Sequence, residues 1–404
     1  MKLNLFIGLV IGISLLTLTA GCGGGGGSSE TTTTTTIAAT TTTTVADTTT
    51  TIAETTTTTV PETTSTTTTS TSTTTTTMVF NFSITTFESS APGSSKTSIA
   101  ADGNNHLHFS YYDGSAEDLI YSYFDGSSWQ TTTVDATGTV GNYCSIAVDG
   151  NNKAHISYYD ATSLNLKYAT NSSGSWLTRT VDSTGNVGLN TAIAVEADGT
   201  AHIVYQDATN YDLKYATNKS GLWVAETVAT TGNSGDGING IALDSNNKVH
   251  ISYYYLDDSK LMYLTNASGA WVDTNLDSTT GINGYTDIAV DSNNKVHISY
   301  RDATNQLLKY ATNTSGNWVY SIPSSLIDGL NNSIAVDSQG KIFMSCYNNG
   351  TVFLTNANNS WQVKTIEEGT FIGGGISIAV DHNRKTHISY IDIPLNKVKV
   401  ASDD

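Results

Sequence analysis

The best candidates for a binding site are five aspartates that recur in the same local setting. They lie in Tyr112-Asp113, Tyr159-Asp160, Gln206-Asp207, Arg301-Asp302 and Ile391-Asp392, and three of them precede Ala-Thr. Carboxylates and hydroxyls beside aromatic rings suit a neutral sugar, which offers hydroxyl groups to hydrogen-bond and C–H groups to stack. We therefore take as candidate ligand-binding residues Tyr112, Asp113, Tyr159, Asp160, Asp207, Asp302 and Asp392. The alternative is that each aspartate caps its own turn.

Histidines and acidic residues recur as well. The histidines fall one to a repeat, which would not gather several on one metal ion, so we expect each to hydrogen-bond within its own repeat. They are His108, His155, His202, His250, His297 and His387, with Phe343 at the equivalent place in the sixth repeat.

The acidic residues end the first strand of every repeat: Asp102, Asp149, Glu196, Asp244, Asp291, Asp337 and Asp381. They would form a carboxylate ring that holds Ca²⁺, or each would cap its own hairpin turn. A lysine four residues later, as in Lys153 and Lys248, would be the local charge partner. We favour the caps, and expect no catalytic residue, cofactor or resident metal.

These residues belong to a sequence repeat that starts at residue 78. The phrase Ser145-Ile146-Ala147-Val148-Asp149 recurs with its isoleucine at intervals of 47, 47, 48, 47, 46 and 44 residues. A period of this length with four strand-like runs per repeat is typical of propeller blades. The sequence therefore predicts an all-β fold, a seven-bladed β-propeller over residues 78–404. The candidate aspartates would follow the second strand of each blade, on the face that also carries the crossovers between blades.

The seventh repeat stops before its outer strand, and a matching strand stands at the other end of the domain. Phe82 and Phe87 have the spacing of Trp129 and Val134, and Phe87 precedes Ile99 by the same 12 residues that separate Val134 from Ile146. We expect this N-terminal strand to complete the last blade, because closure removes unpaired edges that invite aggregation.

Each full repeat carries a tryptophan after a turn such as Thr170-Asn171-Ser172-Ser173-Gly174-Ser175-Trp176. This turn resembles the Asp-box of the sialidase-like (BNR-repeat) propellers, with Asn171 where that family has aspartate and one residue fewer before the tryptophan. The resemblance covers 78–404 and implies the blade architecture. It implies little about activity, because such turns stabilise hairpins in propellers of many functions.

Sialidase chemistry itself would need three arginines around a carboxylate, together with acidic and tyrosine groups. The three arginines of this chain, Arg179, Arg301 and Arg384, occupy different positions in their blades, so we expect them not to converge.

The first residues have the pattern of a targeting segment. Lys2 precedes an apolar run from Leu5 to Leu18 that is shorter than the about 20 residues of a membrane span. It leads into Leu18-Thr19-Ala20-Gly21-Cys22, which resembles the lipobox of bacterial lipoproteins, although Thr19 departs from the usual aliphatic residue. The resemblance implies that 1–21 is a signal peptide and that Cys22 is lipidated. Residues 22–77 are rich in glycine and threonine, too poor in apolar groups to bury a core, and are predicted to be a disordered linker.

Composition limits the partners. The net charge of −18 argues against nucleic acid, which is bound through lysine and arginine. Cys144 and Cys346 lie in different repeats and are expected to be buried free thiols. We expect a monomeric, non-enzymatic propeller, lipid-anchored at the cell envelope, that binds glycans or a surface protein at several sites. A propeller hydrolase or lyase, or a plain scaffold, is the alternative.

Overall fold

The computed structural model describes residues 33–40, 51–58, 80–87, 96–230, 234, 237, 240–278, 281–370 and 372–403. The chain divides into two compact units, 1–75 and 76–404. In the first, β1 (Thr33–Thr40) pairs antiparallel with β2 (Thr51–Thr58). The signal peptide, Cys22 and the rest of the linker lie outside the described residues, so those interpretations stay predictions. Nothing among the described residues forms a helix long and apolar enough to span a bilayer.

The second unit is the predicted propeller: seven antiparallel sheets of four strands each. In blades one to six the strands follow one another in the chain, so every blade is a local meander. By blade they are β4–β7 (Ser98–Ala101, Leu107–Asp113, Asp118–Phe124, Trp129–Asp135), β8–β11 (Val140–Val148, Ala154–Asp160, Asn165–Thr170, Leu177–Asp182), β12–β15 (Val187–Val195, Ala201–Asp207, Asp212–Thr217, Val224–Ala229), β16–β19 (Gly240–Leu243, Val249–Tyr255, Lys260–Thr265, Val272–Asp277), β20–β23 (Ile282–Val290, Val296–Asp302, Leu307–Thr312, Val319–Ser321) and β24–β27 (Leu330–Val336, Ile342–Tyr347, Gly350–Thr355, Gln362–Glu368).

Ring closure is confirmed. Blade seven consists of β28–β30 (Ile372–Val380, Thr386–Asp392, Lys397–Asp403) and takes its outer strand from the N-terminal side, β3 (Phe82–Phe87). The two strands pair in register from Phe82 opposite Asp403 to Phe87 opposite Val398. The last blade therefore joins both ends of the domain, and β30 is paired on both sides instead of being left as an open edge.

The core lies between neighbouring blades. A typical cluster contains Leu119 and Tyr121 of blade one with Val140, Ile156 and Tyr158 of blade two. The alternation of strand side chains sends successive residues to opposite faces of each sheet, and both faces of a blade are covered by its neighbours. Cys144 and Cys346 are buried free thiols in these layers, as predicted.

The turn between third and fourth strands is fixed by its asparagine. Asn171 Oδ1 accepts the backbone N–H of Ala154 at the start of the second strand, at 2.8 Å. Asn218, Asn266, Asn313 and Asn356 make the same 2.8 Å bond in the next four blades. A side-chain amide oxygen thus ties this turn to the start of the second strand of the same blade.

Candidate functional site

The predicted aspartates are the last residues of the second strands, at the face that the sequence predicted, but their carboxylates are engaged in their own turns. Asp160 Oδ1 accepts the backbone N–H groups of Thr162 and Ser163, both at 3.0 Å. The other four are held by backbone donors in the same way: Asp113 by Ser115, Asp207 by Thr209, Asp302 by Asn305 and Asp392 by Leu395. Asp302 and Asp392 are 0% and 1% exposed, and the candidate tyrosines of blades one and two, Tyr112 and Tyr159, are also buried. The turn-capping alternative describes this geometry, and a ligand role for these residues stays a prediction.

The second carboxylate oxygens on this face take part in ion pairs between blades. Lys167 lies between Asp135 of the preceding blade and Asp160 of its own, and Tyr158 donates to Asp135 Oδ2 at 2.7 Å. Although burial opposes ionisation, the hydrogen bonds from Lys167 and Tyr158 hold the pKa of Asp135 below its ordinary value. The same tyrosine–acid–lysine arrangement joins three further blade pairs, through Tyr205, Asp182 and Lys214, through Tyr300, Asp277 and Lys309, and through Tyr390, Glu367 and Lys399.

At the junction of blades two and three, the crossover packs against the second-to-third-strand turn of the next blade. Thr209 Oγ1 accepts the N–H of Asn186 at 2.7 Å, and Tyr159 donates to Asn186 Oδ1 at 2.8 Å. Gly185 has a φ of +94°, and a Cβ there would lie 2.7 Å from Thr209 Oγ1. The predicted neighbourhood of loops and crossovers is therefore confirmed, but they pack directly against each other.

The opposite face, which carries the turns between first and second and between third and fourth strands, holds the histidines and the repeated acids. His155 Nδ1 and Tyr168 Oη are hydrogen-bonded at 2.5 Å, and His155 Nε2 faces Asp149 Oδ2 at 3.4 Å, long for a hydrogen bond. Burial lowers the pKa of His155 and raises that of Tyr168 to about 12, so the imidazole and the phenol are both uncharged at pH 7. The same within-blade bond to a tyrosine recurs for His108, His202, His250 and His297, which confirms the structural role predicted for them.

The repeated aspartates cap their hairpin turns, as favoured above. Asp149 Oδ1 accepts the N–H groups of Asn151 and Lys153, both at 2.8 Å. The prediction that lysine is the charge partner is wrong. Lys153 contributes its backbone N–H, and the second carboxylate oxygen of Asp149 faces His155. In blade six, where Phe343 replaces histidine, Arg384 Nε binds Asp337 Oδ2 at 2.6 Å instead. Within the described part of the chain, no group of three or more His, Cys, Asp or Glu side chains could hold a metal ion.

On this second face the structure opens clefts between blades. The cleft between blades one and two has a volume of about 500 Å³, and its floor is formed by Asp102, His108 and Tyr121. The cleft between blades two and three has about 820 Å³ and the equivalent floor of Asp149, His155 and Tyr168. Asn151, Asn171 and Thr132 line the first cleft, and Asp198, Asn218 and Arg179 occupy the matching positions in the second.

One wall of the clefts is aromatic. Tyr168 meets the half-buried Trp223 of the next blade edge to face, with ring centroids 5.0 Å apart. The tyrosine–tryptophan contact repeats at every junction from blades one and two to blades five and six, with centroids from 4.8 to 5.6 Å. Each of these junctions therefore places an aromatic surface beside amides, hydroxyls and a histidine.

The three arginines lie apart from one another, as expected. Arg179 lines the cleft between blades two and three. Arg301 binds Asp328 through Nε at 2.7 Å and Nη2 at 3.1 Å, and Arg384 binds Asp337. They form no common carboxylate clamp.

No family model matches the chain, and no curated protein matches it. Solved structures share its fold. Virginiamycin B lyase from Staphylococcus aureus matches with a TM-score of 0.54 at 10% identity, over 80% of this chain and 99% of the lyase. A variant of the Aleuria aurantia lectin in complex with alpha-methyl-L-fucoside matches with a TM-score of 0.50 at 12% identity, over 70% and 98% of the two chains. The polysaccharide lyase Uly1 matches with a TM-score of 0.51 at 9% identity, over 77% and 90%.

The site residues predicted from the sequence lie on the face opposite to these clefts, and their ligand role stays a prediction. The residues of the clefts were visible as repeated histidines, acids and tryptophans, but each was interpreted within its own blade. The signal that was missed is that the tyrosine of one blade and the tryptophan of the next recur at a similar offset, which is 55 residues in Tyr168–Trp223, Tyr121–Trp176 and Tyr263–Trp318.

Proposed function

We propose that this protein is a non-enzymatic carbohydrate-binding propeller that holds glycans in the clefts between its blades. The observation that carries the proposal is the repetition of one polar floor, with an aromatic wall, at neighbouring blade junctions. Sugars bind through hydroxyl hydrogen bonds and stacking of C–H groups on aromatic rings, and both are offered here. Several weak sites on one rigid ring would gain avidity for a surface that displays repeated glycans.

Two of the matched folds support this use of a propeller at a coarse level. One is a lectin solved with a fucoside and another is a polysaccharide lyase, so the architecture accommodates both sugar binding and sugar chemistry. We favour binding over catalysis because an enzyme needs one asymmetric cluster of perturbed groups, whereas the clefts repeat the same set. A sialidase-type activity is not part of the proposal, since the arginines lie apart.

The proposal extends to the protein's location. The lipobox-like Leu18 to Cys22 segment would anchor the chain to the cell envelope, and the threonine-rich linker would hold the propeller away from the membrane. A surface position of this kind suits capture of external glycans by a monomer with several sites.

A glycan array of the propeller, residues 78–404, tests the function, and paired variants test the site. Thr132→Ala with Arg179→Ala removes exposed side chains from the walls of two clefts. The matched control is Leu164→Ala with Tyr211→Ala, which removes exposed side chains from turns on the opposite face. We expect the cleft pair to weaken binding about tenfold or more, about 1.4 kcal/mol, and the control pair to leave it unchanged.

If the control pair weakens binding and the cleft pair does not, the site lies on the opposite face, at the turns that contain Asp160 and Asp207. Absence of array binding by the unaltered propeller would reject the carbohydrate function, and a protein partner or a scaffold would then be the better interpretation.

A further inference from the structure

The central channel breaks the sevenfold repeat at two charged side chains. The residue before the repeated isoleucine of each inner strand faces this channel. It is a small or hydroxyl-bearing residue in six blades and an aspartate in blade five: Ser98, Ser145, Ala192, Gly240, Asp287, Ser333 and Ser377. Lys96, on the segment that enters blade one, is the second departure.

The serines form a hydrogen-bonded belt from blade to blade. Ser98 Oγ accepts the N–H of Ile146 at 3.1 Å, and Ser145 Oγ accepts that of Ile193 at 3.3 Å. Asp287 Oδ2 does the same for Ile334 at 3.0 Å. Serine therefore suffices for the belt, and the negative charge of Asp287 exceeds what the fold requires at this position.

Lys96 and Asp287 line a polar chamber of about 190 Å³, and they are the only charged side chains among the described residues around it. They attract each other across the chamber without an ion pair. The hydrogen bond that Lys96 Nζ does make is a long one, to the Thr191 carbonyl at 3.4 Å. An ammonium group has three donors, so the side chain retains capacity for a ligand.

Burial disfavours both charges. It lowers the pKa of Lys96, against the attraction of Asp287, and raises the pKa of Asp287, against hydrogen bonds from Ile334 and Ser333 and the attraction of Lys96. Lys96 and Asp287 keep partial solvent exposure, so their charges are only partly withdrawn from water. A group of opposite charge placed beside each one offsets the cost of that desolvation. An anion alone would be attracted by Lys96 and repelled by Asp287, and a cation alone the reverse.

We propose that the channel chamber binds a small zwitterion of the α-amino-acid class, with its carboxylate on Lys96 and its ammonium group on Asp287. The hydroxyls of Ser98, Ser145 and Ser377 would add donors to the carboxylate. The volume equals that of about six water molecules and falls below the about 300–1,000 Å³ of drug-sized sites, so the chamber suits a small ligand and not an extended glycan. The proposal is independent of the clefts between blades.

Calorimetry and thermal melting of the full chain test it with four probes. Glycine and L-alanine carry both charges, whereas acetate and methylammonium carry one each. We expect glycine or alanine to bind saturably and to raise the melting temperature by about 1 to 3 °C at ten times the dissociation constant, and the single-charge probes to have no effect. The matched variant is Lys96→Met with Asp287→Ser, which keeps the length of the lysine and restores the serine of four other blades. It should remain folded and lose amino-acid binding at least tenfold.

Two outcomes would overturn the proposal. The first is that glycine and alanine bind the unaltered protein and the double variant equally, or bind neither. In that case Lys96 and Asp287 form no amino-acid site, and water fills the chamber. The second is a response to acetate or methylammonium alone that matches the response to the amino acids, which would make it a simple ion site. The single variant Asp287→Ser checks folding, because it removes one charge from the chamber and keeps a hydroxyl group in the belt.

Discussion

Ring closure by β3 makes Phe87 a residue on which the whole domain depends, although it lies outside the seven inner repeats. Its ring is 8% exposed and packs between blades seven and one, 5.3 Å from the ring of Phe109 and 5.0 Å from that of Trp129, the latter edge to face. Phe87→Ala removes these contacts and leaves a cavity that the closed propeller cannot fill by collapsing. Truncations of this kind destabilise proteins by about 3–5 kcal/mol.

Ile84 on the same strand is the matched control. It is 41% exposed, so Ile84→Ala should cost no more than about 1 kcal/mol through lost strand preference. For a domain of this size 1 kcal/mol corresponds to roughly 1.5 °C in melting temperature, so Phe87→Ala should melt roughly 4–8 °C lower. A chain that begins at residue 90 lacks β3 and exposes the edge of β30, and it should be insoluble or far less stable than 78–404.

Urea unfolding of the two variants, followed by tryptophan fluorescence, measures the difference. Equal midpoints for Phe87→Ala and Ile84→Ala would refute the closure energetics. So would a 90–404 chain that unfolds at the same midpoint as 78–404.

Three other predictions concern charge and anchoring. Lys167→Met leaves Asp135 and Asp160 without their cation and should cost about 3–5 kcal/mol in denaturant unfolding, whereas Lys219→Met, whose side chain is 59% exposed, should cost at most about 1 kcal/mol; equal losses would contradict the role of the buried pair. Burial lowers the pKa of His108, His155, His202, His250 and His297 in the folded state, so acidification protonates the unfolded chain first. Stability should therefore fall below a pH of about 6.5, by about 1.4 kcal/mol per pH unit for each histidine that only the unfolded chain protonates, and a flat profile between pH 7.5 and 5.5 would exclude this. Cys22→Ser should release the protein from membranes with the propeller intact, and fatty-acid labelling that finds no lipid on the unaltered chain would reject the anchor.

Blade six shows why the histidines are structural and how their loss is tolerated. Phe343 and Phe353 stand where other blades have histidine and tyrosine, and their rings stack with centroids 6.2 Å apart. Asp337, which has no histidine to face, is bound by Arg384 of the next blade. The position accepts an apolar pair when another blade supplies a partner for the acid.

The sequence alone determined the number of blades, the closing strand and the roles that operate within one repeat. The repeated isoleucine and tryptophan set the count, and the offset of Phe87 identified β3, because these patterns depend on strand period and chain order. His155 with Tyr168, and Asp149 with its turn, are close in the chain, so local rules sufficed for them.

Only the tertiary structure decided the contacts between blades. Tyr158 and Lys167 meet Asp135 from 23 and 32 residues away, and Lys96 and Asp287 share a chamber although they belong to blades one and five. Whether an aspartate is a solvated ligand site or a buried ion-pair partner depends on which side chain the next blade places opposite it. That choice depends on how neighbouring blades pack against each other, which the repeat period does not encode.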